Sequence, residues 1–304
     1  MKATIIVFSP QGNTLKVGKM LKMSLTERKV RTQLIDITRD GKLFKEGNNG
    51  HYLKELVEGH DVLLVGSPVY AHHLHYNVKD LIRSLPQPGN GWGRFAVPFV
   101  TYGNINSGVA LKEAGELLKR SGRIVVSGMK INSMHCLTKL KEITTKINEG
   151  MPGDEALPDI ENLVGRIIQL ENVKLKDYDG ILKDLDYQSR KVKVKANLIF
   201  REKFWHRHLY PDLVFNQDAC NACGKCAKVC SVQRIEMTED GPIFPEGNPG
   251  CIHCASCVVN CPMDAISFDA DWVKWNRLIE KAANGFGPLP SNEKPRSAVY
   301  PRDK

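Results

Sequence analysis

Nine cysteines stand in this chain, and eight of them fall between residues 220 and 261. Their spacing is regular: Cys220-x2-Cys223-x2-Cys226-x3-Cys230, then Cys251-x2-Cys254-x2-Cys257-x3-Cys261-Pro262. Adding 31 to each position of the first run lands on the second, and the same offset carries Ile235 onto Ile266. A disulfide knot needs an oxidising compartment, and the start Met1 to Phe8 has too short an apolar stretch for an export signal. Zinc sites usually pair two short Cys/His motifs rather than three cysteines in register plus a fourth. The pattern suits iron–sulfur chemistry. Three thiolates on one tight loop cap three irons of a [4Fe–4S] cube, and the fourth Cys lies too far along the chain to close the same cube. Cluster one then takes Cys220, Cys223, Cys226 and Cys261, and cluster two takes Cys251, Cys254, Cys257 and Cys230.

Over residues 211 to 270 the chain resembles bacterial two-cluster ferredoxins, with one departure: Ser231 follows Cys230 where the motif has Pro. The same stretch holds three Lys and Arg against eight Asp and Glu, an acidic island in a chain of net charge +9. A composition shift that sharp marks a domain boundary.

Ahead of it, unbroken apolar runs recur at Ile5–Phe8, Val62–Val65 and Ile124–Val126, with weaker ones at Leu34-Ile35 and Phe99-Val100. Such runs suit strands buried on both faces. Between them lie one-sided helical patterns: Val17, Met20, Leu21 and Leu25; Val78, Leu81, Ile82 and Leu85, with Asn77 as cap; Ala110, Ala114, Leu117 and Leu118; and Ile160 through Ile168. A weaker helix falls near Tyr52 to Val57. The alternation predicts an α/β fold, a doubly wound sheet of five parallel strands. Pro98 lacks a ladder donor, so pairing of the fourth strand is expected to start only there.

Ligands of such sheets sit beyond the carboxyl ends of the strands. The first of these loops, Ser9-Pro10-Gln11-Gly12-Asn13-Thr14, has the parts of a phosphate cradle. No Gly-x-Gly-x-x-Gly is present, and Met20 stands where a nucleotide-triphosphate loop needs Ser or Thr. The loop resembles the FMN phosphate loop of flavodoxins, Ser/Thr-x-Thr-Gly-Asn-Thr, with Gln11 replacing the middle Thr. Gly66-Ser67-Pro68-Val69-Tyr70-Ala71 and Thr101-Tyr102-Gly103-Asn104 through Ser107-Gly108 look like the two flavin-flanking loops of that family. The resemblance implies that Ser9, Gln11, Gly12, Asn13 and Thr14 hold the phosphate. It also implies that Ser67, Pro68, Val69, Tyr70, Thr101, Tyr102, Gly103, Asn104 and Gly108 border the flavin, with Tyr70 and Tyr102 against the ring.

The whole chain thus resembles a flavodoxin–ferredoxin fusion family. The expected layout is a flavodoxin-like FMN domain over 1–170, a basic linker over 171–209, a small α+β two-cluster ferredoxin-like domain over 210–270, and a helix with an irregular tail over 271–304. The implied function is electron transfer between two [4Fe–4S] clusters and FMN for a redox protein partner; an acidic partner is the second reading, after packing, of the basic segment Lys191 to His208. The alternative is an FMN-dependent reductase of a small molecule, wired through the clusters, with His72, His73 or Tyr102 as proton donor. The segment Lys191 to His208, basic with Phe200, Phe204 and Trp205, reads as packing rather than a nucleic-acid site. Cys136 reads as a core thiol, His253 as solvent-facing, and Trp272 and Trp275 as the start of a helix shielding the last cluster. No membrane span is expected, and the chain is expected in the cytoplasm.

Overall fold

Successive residues of a strand point to opposite faces, and here both faces are covered. In the computed structural model, which describes residues 1–45, 50–172, 178, 180–200, 210–245, 250–284 and 295–302, Ile5, Val7, Val62, Leu64 and Phe99 face one core. Ile6, Phe8, Leu63, Val65 and Val100 face the other. Helices α1 (Asn13–Glu27) and α6 (Leu157–Ile168) close the first through Val17, Leu21, Ile160 and Val164. Helices α4 (Tyr76–Ser84) and α5 (Ala110–Arg120) close the second through Val78, Ile82, Leu111 and Leu118.

The strands are β1 (Lys2–Val7), β2 (Arg31–Asp36), β3 (His60–Tyr70), β5 (Trp92–Tyr102) and β7 (Gly128–Asn132), all parallel, in the order β2-β1-β3-β5-β7. That is the flavodoxin-like doubly wound order, and its switch point, where ligands bind, lies between β1 and β3. Short helices over Gly41–Lys45 and Gly50–Leu56 fill the second crossover, the later one where the weak helical pattern predicted it.

Three sequence expectations change. Pairing of β5 starts well before Pro98, with His60 opposite Trp92 and Val62 opposite Phe95. Proline is accommodated because the neighbour on the far side switches there: Phe95 and Ala96 pair with β6 (Ile124–Val125), and Phe99 onward pairs with β7. The fifth strand is correspondingly the pair β6 and β7 rather than 124–126 alone. Helix α4 is capped by His75, whose Nδ1 accepts from the Asn77 N–H at 3.2 Å, not by Asn77 itself; it stops at Leu85 because the next residue is Pro86.

The tail is not irregular throughout. Strand β12 (Ala298–Tyr300) pairs antiparallel with β7 and forms the sheet edge. Ala298 and Tyr300 enter one core and Val299 the other. Ile181 and Leu185, from the expected linker, pack into the core that takes Ala298 and Tyr300. The expected residues Arg201, Lys203, Phe204, Trp205 and Arg207 lie outside the described residues.

Candidate functional site

The 31-residue offset of the cysteines is also an offset of backbone shape. Left-handed φ angles recur in pairs: Ala222 and His253 (53° and 51°), Gly224 and Ala255 (68° and 62°), Gln233 and Asp264 (50° each). Such turns cost non-glycine residues about 1–2 kcal/mol each, and here they aim peptide N–H groups at sulfur. Ala222 and His253 donate to Cys220 Sγ and Cys251 Sγ at 3.3 and 3.4 Å. Arg234 and Ala265 donate to Cys230 Sγ and Cys261 Sγ at 3.2 and 3.3 Å.

Four sulfurs surround each of two cavities. One is lined by Cys230, Cys251, Cys254 and Cys257, the other by Cys220, Cys223, Cys226 and Cys261. These are the two sets expected from spacing, including the exchanged fourth cysteines. Among the described residues, no three His, Cys, Asp or Glu side chains converge as ligands of a single metal ion. In the metal-free chain, burial pushes the thiols of Cys226, Cys251 and Cys257 upward, and neighbouring sulfurs add to it. Loading the clusters therefore releases protons.

The two centres differ in surroundings. Cys223, of cluster one, is exposed. Cluster two lies against the carboxyl ends of the sheet. Val232, Ile252 and Cys254 join the core that contains Phe8, Ile37 and Leu74. The Ser231 carbonyl accepts from the Arg39 N–H at 2.8 Å. Gln11 Nε2 donates to the Cys254 carbonyl and, at 3.3 Å, to Ser256 Oγ. Ser256 Oγ donates to the Pro10 carbonyl at 2.9 Å. The first strand-end loop is thus bonded to the ligand loop of cluster two.

That loop keeps an anion-binding end. Gly12 has φ +88°, caps α1 without a side-chain bond, and no acidic residue stands in the first turn. The Lys139 ammonium donates to the Gln11 carbonyl at 3.0 Å, adding positive charge beside it. These features fit a phosphate. The side chains are more committed: Ser9 Oγ accepts from Leu15 N–H at 2.8 Å, Asn13 Nδ2 donates to the Met134 carbonyl at 2.9 Å, and Thr14 shares a 2.8 Å bond with Thr101. Ser67 Oγ donates to the Pro68 carbonyl at 2.8 Å, and Val69 pairs with Leu74 in a short hairpin.

The two candidate ring-flanking tyrosines point to different neighbours. Tyr70 is buried edge-on against His75 and shares its surroundings with Cys254, Cys251 and Cys136. Burial, then those sulfurs, hold its hydroxyl protonated. Tyr102 donates to the Arg296 carbonyl at 2.5 Å, with the Lys130 ammonium 5.9 Å from its ring. Gly103 packs on His135, and Asn104 accepts from Asn132 Nδ2 at 3.4 Å.

Gly108 shows how tightly the second and third loops meet. Its φ is +57°, a Cβ would run into the His72 carbonyl, and Val109 N–H donates to that carbonyl at 2.8 Å. Gly108→Ala is expected to cost at least ~2 kcal/mol, read as a lowered urea midpoint; an unchanged midpoint would refute this contact.

Neither His72 nor His73 offers a free proton to a substrate: the one is held neutral and the other is bonded at both ring nitrogens. Burial drops His72 to about 3, the like charge of His73 adding to it. His73 is bonded at both ring nitrogens, to Glu113 and to the Ala196 carbonyl, each at 2.9 Å. Cys136 is half-buried, and burial with Cys254 nearby pushes its thiol up to about 11. His253 is not solvent-facing: it stacks on Tyr210 with ring centroids 4.8 Å apart. Trp272 and Trp275 pack on Leu140, Ile143, Ile147 and Phe268, so the helix Trp272–Ala283 covers the segment after β7. That segment and Ser256 are the functional neighbours the sequence reading missed; the two departures from family pattern, Gln11 and Ser231, were the signal for the contact.

Among known proteins, the profile of the 4Fe-4S dicluster domain matches residues 212–266. A ferredoxin of Pyrobaculum islandicum is 38% identical over 61 residues, 19% of this chain and 53% of that protein. The chain therefore spans about half the length of this curated relative. A flavodoxin from the domain Archaea covers 54% of the chain and 94% of its own length at 20% identity, TM-score 0.37. Flavodoxin 1 from Bacillus cereus covers 57% and 100% at 18% identity, TM-score 0.39. These scores add nothing to what strand order already establishes. Among the described residues, no helix is long and apolar enough to cross a membrane. By strand order and by the dicluster match, the chain joins a flavodoxin-like α/β sheet to a 4Fe-4S dicluster ferredoxin domain.

Proposed function

We propose that this protein moves electrons one at a time through its two [4Fe–4S] clusters and exchanges them with FMN held at the strand ends of the sheet, on behalf of an acidic redox protein partner. The carrying observation is the bond of Gln11 to the Cys254 carbonyl, which ties the phosphate-type loop to the ligand loop of cluster two. Cluster two is then the inner centre, and cluster one, with Cys223 exposed, is the outer one.

Gly12, Asn13 and Thr14 would hold the phosphate at the uncapped start of α1, and Tyr70 would lie between the flavin loops and cluster two. FMN supplies exchange between two-electron and one-electron chemistry. The chain's own part is to seat the clusters, exclude water around Cys254 and keep Tyr70 protonated. The reductase reading gains no support from His72 or His73, for the reasons given above.

The test is anaerobic purification with iron, acid-labile sulfide and flavin measured per chain. About eight irons with one FMN are expected. The same iron without flavin, even after FMN is supplied, would overturn the flavin part of the proposal.

A further inference from the structure

The two positions at which this chain departs from its family patterns, Gln11 and Ser231, meet at one ligand of cluster two. Ser231 is 1% exposed, and its Oγ lies 3.4 Å from Cys254 Sγ and 3.5 Å from the Pro10 carbonyl. The protons in this contact can be assigned one by one. Gln11 Nε2 has two, given to the Cys254 carbonyl and Ser256 Oγ. Ser256 has one, given to the Pro10 carbonyl at 2.9 Å. A Ser231 bond to that same carbonyl, at 3.5 Å, is at the limit for oxygen, whereas 3.4 Å suits a bond to the larger sulfur atom. A ligating thiolate has no proton to give, so the proton between Ser231 and Cys254 is the serine's.

We infer that Ser231 donates a hydrogen bond to the Cys254 thiolate and thereby raises the reduction potential of cluster two relative to cluster one. Hydrogen bonds to ligand sulfur stabilise the more negative, reduced cluster. The bond lies in a water-poor contact, with Cys254 only 9% exposed, where such bonds count for more. Cluster one lacks the device: the 31-residue offset carries Ser231 onto Pro262 and Cys254 onto Cys223, and proline has no hydroxyl. Gln11 serves the same end by holding the Cys254 peptide in place. Ser231 acts through Cys254 and is a positioning residue in the electron path. The inference rests on cluster two alone and stands whether or not FMN is bound.

The test is a potentiometric titration of the anaerobically purified full chain, followed by electron paramagnetic resonance, with iron measured in the same samples. Ser231→Ala should shift the reduction equilibrium of cluster two about tenfold toward the oxidised form, 59 mV for a one-electron couple. Cluster one should not move. Because alanine leaves a void, Ser231→Thr and Ser231→Val form a second comparison of equal shape: threonine should keep the parental potential, and valine should lower it. An unshifted Ser231→Ala cluster with full iron would overturn the inference, as would equal shifts in the threonine and valine proteins.

Discussion

Cys257→Ala is expected to halve the iron of the purified protein, from about eight per chain to about four. Cys257 lines one cavity with Cys230, Cys251 and Cys254, and the other four cysteines line a separate one. Cluster one therefore keeps all its ligands. The loss should reach beyond the metal. Val232, Ile252 and Cys254, all within the loops that cluster two holds, are part of the core under α4 and α5. Without the cluster those loops lose their anchor, and the seat on Pro10, Gln11 and Arg39 loosens with them. Iron assay with hydrogen exchange on the Ser9–Thr14 loop checks both parts. Retention of eight irons, or loss of all of them, would refute the two-set assignment. Four irons with unchanged exchange in the loop would show that the seat does not depend on the cluster.

Glu113→Ala should destabilise the protein by about 3–5 kcal/mol, the usual cost of removing one partner from a buried ion pair. One Glu113 oxygen is 2.9 Å from His73 Nδ1; the other takes the Leu74 N–H at 2.9 Å and the Lys79 ammonium at 3.1 Å. Alanine strands the two cations and one peptide N–H in a largely closed pocket. His73 Nε2 meanwhile bonds the Ala196 carbonyl, so the pair also holds helix α8 (Arg190–Leu198) to the sheet. Both ring nitrogens face acceptors, which requires the charged imidazolium.

The pH dependence follows. Burial works to lower His73, but the Glu113 bond and charge and the Ala196 carbonyl outweigh it, so its pKa lies above 6.5. Burial works to raise Glu113, yet His73 and Lys79 win, so its pKa lies below 4.5. The histidine contribution is complete below pH 6.5 and fades as pH rises through the folded value. The carboxylate contribution is complete above pH 4.5 and fades as pH falls through its own folded value. The groups facing the pair are Lys79, His72, the Leu74 N–H and the Ala196 carbonyl. Urea unfolding should show the parental protein losing this increment as pH rises above 6.5 and again as it falls below 4.5, with Glu113→Ala showing neither loss. A pH-independent difference between them would refute the pairing.

The chain states its cluster chemistry in one dimension. Ligand spacing, the 31-residue offset and the exchange of the fourth cysteines follow from the reach of a tight loop, so Cys220 through Cys261 were assignable before any coordinates. The parallel sheet was legible for a related reason: strands buried on both faces must be apolar without interruption, as at Ile5–Phe8 and Val62–Val65. Long-range packing was not legible. Strand β12 is only three residues long, too short for any periodicity, and it exists because β7 offers an unpaired edge. His75 caps α4 through a ring nitrogen, a role no propensity announces. Gln11 and Ser231 are 220 residues apart, and each alone reads as a flaw in a motif. Only folding, by stacking the ligand loop of cluster two on the carboxyl ends of β1 and β3, makes them two halves of one contact. Local spacing determined which atoms can bind iron; the burial of one loop against another decided which cluster lies inside.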